Sequence, residues 1–156
     1  MVKTFTRLLL LDVVTLTSAF FAHQKGLFET VIEHDVSYIS SVIVLLYVGM
    51  SVFAANLAKK LDSKTLPLSA DDSLFFEKKL DFSWFVSSHF FNLGLMGTII
   101  GFCYSMGASL NPGADANKIV LDLKTGTSTL MFTTLFGLVA SVLLQIQTYI
   151  IQYKVK

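Results

Sequence analysis

From Tyr38 to Ala58 the chain carries no charged side chain. As a helix that stretch is about 30 Å long, the thickness of a bilayer's hydrocarbon core. Lipid offers no partner to a backbone N–H or C=O, so an isolated span of this kind has to be a helix. Three further apolar segments obey the same logic, over about 5–22, 82–109 and 119–153. Composition agrees: 53% of residues are hydrophobic and 15% charged, against about 25% charged in an ordinary soluble domain. The mean hydropathy is +0.65. The expectation is an all-α, polytopic membrane protein, a single membrane domain over 1–156 with four transmembrane helices embedded in the lipid bilayer.

The first segment is the weakest of the four. Lys3 and Arg7 precede an apolar run, as in a secretory signal, but Asp12 interrupts that run and no small-x-small cleavage site follows. It reads as a retained membrane helix. Residues 23–35, with His23, Lys25, Glu29, Glu33, His34 and Asp35, read as a polar loop, and 59–81 as a charged linker. Within the linker, Ser69 and Asp72 have the spacing of a capping box and predict a helix from near Ala70. Asn111-Pro112-Gly113 is a turn signal between the two longest segments, both of which outrun the hydrocarbon.

Charge orients the spans. Four crossings from a cytoplasmic N-terminus place Lys3, Arg7, Lys59, Lys60, Lys64, Lys78, Lys79, Lys154 and Lys156 on the cytoplasmic side and leave only Lys25, Lys118 and Lys124 outside. By the positive-inside rule both termini are cytoplasmic. The net charge of +1 supplies no field for nucleic acid, which is excluded as a partner. The single cysteine, Cys103, forms no intrachain disulfide and reads as a buried structural thiol.

The third and fourth segments carry the most informative pattern. At 100° per residue, Ser87, Gly94, Thr98, Gly101 and Ser105 share one sector of the third helix. On the fourth, Thr127, Thr134, Ser141 and Thr148 recur every seven residues, and Gln145 and Gln152 join that face. In lipid, such a stripe either packs closely on another helix or faces water. Close packing suits Gly97, Gly101 and Ser105; glutamines at the end of the fourth helix extend beyond what close packing requires. Thr98 and Thr134 both sit about 20 Å from the connecting turn, so an antiparallel hairpin brings them level.

The stretch Gly94-Leu95-Met96-Gly97-Thr98-Ile99-Ile100-Gly101 resembles the G-L-L-G-T-x-x-G signature of the MotA/TolQ/ExbB proton-channel family. Thr127 to Leu138, TSTLMFTTLFGL, is similar to the family's following helix, in which a threonine stands three residues before a glycine. The resemblance covers roughly residues 85–150. It implies a homo-oligomeric ring, a pentamer, in which two long inner helices surround a dimer of single-span partners of the MotB/TolR/ExbD kind. The partner's aspartate binds the proton. Thr98, Thr134, Thr127, Ser141, Thr148 and Gln145 then line the ion path, Gly94, Gly97, Gly101 and Gly137 pack the helices, and the site is the bacterial inner membrane. No cofactor, metal or catalytic residue is implied. Phe91 stands where many relatives have proline, and the linker is far shorter than the family's usual cytoplasmic domain.

A small phage-type pore of the holin kind, or a structural membrane protein, is the alternative reading, and it needs no partner. A membrane enzyme is disfavoured because no nucleophile–base pair or metal-ligand set falls within the spans. Among the remaining residues, Asp12 reads as an interfacial acid that snorkels or pairs with Arg7, with a second ion site as the alternative. His89 points away from the Thr98 face, and Trp84 with Phe82 and Phe85 suits an interfacial aromatic belt.

Overall fold

The computed structural model describes residues 3–35, 37–64, 68–109 and 115–155. They form α1 (Thr4–Gln24), α2 (Leu27–His34), α3 (Ile39–Asp62), α4 (Ala70–Ser109) and α5 (Ala116–Val155), with no strand among the described residues. Four of these, α1, α3, α4 and α5, are long and apolar enough to cross a membrane. The chain is an all-helical, multi-pass membrane protein.

Where the sequence suggests a polar loop over 23–35, the structure has α2. Its apolar residues explain the difference: Leu27, Phe28 and Val31 recur at helical spacing, Val31 is buried, and the Phe28 ring lies 6.5 Å from that of Phe136. Gly26 joins α1 to α2 at φ +72°, a conformation a Cβ would oppose. At the far end, Asp35 caps α3. Its Oδ1 accepts the Ser37 N–H and hydroxyl at 3.0 and 2.6 Å, and its Oδ2 accepts the Ser40 N–H at 3.0 Å.

α3 runs on to Asp62, past the expected start of the linker at 59, and α4 begins at Ala70, where the capping box places a helix start. Lys59 and Lys60 occupy the last turn of α3, and Asp71 and Asp72 the first turn of α4, each favoured there by the helix dipole. The Ser69 hydroxyl accepts the Asp72 N–H at 3.2 Å, and the Asp72 carboxylate pairs with Lys64 at 2.9 Å. From there α4 continues for 40 residues, about 60 Å or twice the hydrocarbon thickness. The Asn111-Pro112-Gly113 turn lies outside the described residues.

The two long helices form the central antiparallel pair, α3 packs on both, and α1 lies against α3 and α5. Near one end Leu8, Leu57, Leu61, Phe76 and Ile151 bring all four spans into one apolar cluster. A second cluster, of Ile43, Phe90 and Leu144, joins α3, α4 and α5. Cys103 is exposed, which overturns the expectation of a buried thiol. It stands two residues from both Gly101 and Ser105, about 200° around the helix, so those residues face α5 while the thiol faces out.

Candidate functional site

Small residues let the backbones of α4 and α5 touch. A Cβ added to Gly137 would lie 2.9 Å from the Gly94 Cα and 2.7 Å from the Phe90 carbonyl oxygen. One added to Gly101 would lie 2.8 Å from the Gly126 carbonyl oxygen, and one on Gly97 would meet the Thr133 side chain at 2.6 Å. In lipid, where apolar burial gives helices little reason to associate, this close approach supplies the van der Waals contact instead. Gly126 belongs to the same seam, although no sequence motif singles it out.

That approach brings the Thr98 and Thr134 hydroxyls to 2.5 Å from each other. Each is also within reach of its own helix: Thr98 of the Gly94 carbonyl at 3.0 Å, Thr134 of the Leu130 carbonyl at 2.8 Å. A hydroxyl has one proton, so only one can lie between the two oxygens while the other serves a carbonyl. Both side chains are half-buried. The pair therefore has an open side from which a further polar group can approach.

The seven-residue stripe does not form one uniform face. Thr127 is exposed, Thr134 half-buried, and Ser141 and Thr148 buried. Thr148 lies against α4, its hydroxyl 2.7 Å from that of Ser83. Gln145 is half-buried and donates to the Ser141 hydroxyl at 3.3 Å. A straight helix drifts about 20° per heptad against a seven-residue repeat. Over three heptads the stripe turns by about 60°, carrying it from the surface at Thr127 into the seam at Thr148.

Asp12 departs from its expected place. Instead of snorkelling or pairing with Arg7, its carboxylate turns inward between three helices. Its Oδ1 accepts the Ser51 hydroxyl at 2.9 Å and the Gln147 amide at 2.7 Å. The same Gln147 nitrogen lies 3.0 Å from Ser51 Oγ and 3.4 Å from the Tyr47 hydroxyl. The sequence hides this cluster because its members are far apart along the chain; an acid within the apolar run of α1 and a glutamine within that of α5 are its visible signs. His89 is exposed, stacks on Phe85 with centroids 4.0 Å apart, and lies 2.8 Å from the Phe85 carbonyl. Among the described residues no group of three His, Cys, Asp or Glu is placed to hold a metal.

Comparison of the chain with protein-family models, with curated proteins and with solved structures finds no match.

Proposed function

We propose that the chain is the ion-channel scaffold subunit of a membrane motor driven by proton-motive force, as its resemblance to the MotA/TolQ/ExbB family implies. The observation that carries this reading is the half-buried Thr98–Thr134 hydroxyl pair, set where two long helices with apolar outer sides approach closely. In this reading five copies form a ring in the bacterial inner membrane, with both termini cytoplasmic, around a dimer of single-span partners. The partner's aspartate carries the proton; the chain is a scaffold without catalytic residue or cofactor. No Asp, Glu, Lys or Arg occurs from Phe82 to Ala114 or from Thr125 to Tyr153, which suits long helices that provide a path while another chain provides the charge.

The physical role of the pair follows from the cost of a carboxylate in a dry site. Burial penalises the ionised form, and a hydroxyl donor offsets that penalty without itself taking up the proton. The driving force is about 2.3 kcal/mol per charge per 100 mV. One hydrogen bond to a charged group contributes about 1.5–3 kcal/mol, a comparable amount. Thr134→Val keeps the side chain's shape and removes this donor. In the complex purified with its partner and reconstituted in liposomes, it should cut proton flux by about tenfold or more. Thr133→Val is the comparison: that hydroxyl is fully buried and already donates to the Thr129 carbonyl at 2.9 Å. Equal fluxes from the two variants would refute the path assignment and leave packing as the role of Thr134.

A further inference from the structure

A carboxylate within a membrane span is retained only where something compensates it. Asp12 lies eight residues into α1, about 12 Å from its start, and Gln147 lies eight residues before the end of α5, about 12 Å in from the same side. With Ser51 of α3, the three helices hold one polar cluster at a single depth inside otherwise apolar packing. We propose that Asp12 is an exchangeable proton-binding group within the membrane, held by Ser51 and Gln147.

Both donors reach the same carboxylate oxygen, Oδ1, which leaves Oδ2 to take up a proton. Gln147 supplies the second, independent sign. Its side chain is fully buried, its two N–H groups lie within reach of Asp12, Ser51 and Tyr47, and its carbonyl oxygen has no hydrogen-bond partner. A buried acceptor left without a donor costs about 1–3 kcal/mol. The unpaired oxygen marks the cluster as incompletely satisfied around an ionised Asp12, while Oδ2 takes up a proton without displacing the two donors to Oδ1. The balance is simple: a carboxylate and a proton from water become a carboxylic acid, with no other bond made or broken.

Tyr47 is the titratable side chain that faces Asp12 from α3. From α5 the facing group is Gln147, which is uncharged. On α2, Leu27, Phe28 and Val31 line an apolar cavity with Ala19 and Ala22 of α1. On α1 itself, Arg7 is exposed about 140° away around the helix. A single facing acid, with no second carboxylate to add charge, suits one proton better than a divalent ion. The proposal is separate from the Thr98–Thr134 path: it requires neither a partner nor transport.

The test is infrared spectroscopy of the purified chain in lipid nanodiscs across a pH series. The protonated-carboxyl C=O band should contain one component that disappears as pH rises, is absent in Asp12→Asn, and is displaced in Asp12→Glu. Gln147→Met removes the amide that holds the carboxylate, so the component should change frequency relative to the wild type. If neither Asp12 variant alters the titrating band, the group does not exchange a proton and the proposal is overturned. A wild-type band that disappears only on adding sodium, and not with pH, also overturns it, in favour of a sodium site. Either result leaves the flux comparison of Thr134→Val and Thr133→Val unaffected.

Discussion

Asp62 stands in the last turn of α3, yet its carboxylate serves the first turn of α1. It accepts the Thr4 N–H at 3.2 Å and the Phe5 N–H at 2.9 Å, and it pairs with Lys154 at the end of α5. The first N–H groups of a helix have no partner within it, and Lys3, the residue before α1, offers no side-chain cap. Asp62 supplies that cap from another helix, and a single side chain thereby ties three helix ends together. Asp62→Ala should cost about 1–2 kcal/mol, raising hydrogen exchange at the Thr4–Arg7 amides by about five- to thirtyfold. Asp71→Ala, on the exposed first turn of α4, should leave those amides unchanged. Equal exchange in the two variants would mean that α1 is held by its apolar contacts alone. A local cap is readable in sequence, as the spacing of Ser69 and Asp72 is; a cap supplied by a residue nearly sixty positions away is not.

At the scale of elements, the α4–α5 seam is a record of where side chains are missing. Gly94 meets Gly137 and Gly101 meets Gly126, each pair close enough that an added methyl group would strike backbone. Gly137→Ala should therefore destabilise the protein by about 1–3 kcal/mol. Gly49, on α3, has nothing within 4 Å of an added Cβ, and Gly49→Ala should be neutral or stabilising by up to about 1 kcal/mol. Thermal unfolding in detergent checks both. Similar midpoints would show that the seam can separate without penalty. The glycine pattern on α4 can be seen in the sequence, as can the threonine repeat on α5. Which members of the repeat meet α4 cannot, because the drift of a straight helix moves a seven-residue stripe off any one face.

At the scale of the whole molecule, the outer side is apolar. Leu95, Ile99 and Phe102 on α4 and Met131, Leu135 and Val142 on α5 are all exposed. Lipid suits those side chains; the half-buried hydroxyl pair is satisfied by its own helices, but its spare acceptor lone pairs can serve a polar partner that lipid does not offer. A ring of protomers would turn that pair away from lipid. Native mass spectrometry of the chain released from nanodiscs should therefore find a closed oligomer, of five copies by family resemblance. A stable monomer or dimer would exclude the ring.

The sequence by itself determined the class of the molecule. An uncharged stretch from Tyr38 to Ala58 has few fates in water or lipid other than a membrane helix, and three more apolar runs repeat that constraint. It also showed the start of α4 and the level placement of Thr98 and Thr134, since local capping and a constant rise per residue need no tertiary contact to act. The tertiary structure alone decided what faces what. It turned α2 into a helix by giving Phe28 and Val31 something to pack on, buried Ser141, set Thr148 against α4, and brought Cys103 to the surface. Above all it drew Asp12, Ser51 and Gln147 together from three helices. Hydrogen bonds between distant residues follow from how helices are rotated against one another, and that rotation is set by packing over their whole length rather than by any short stretch of sequence.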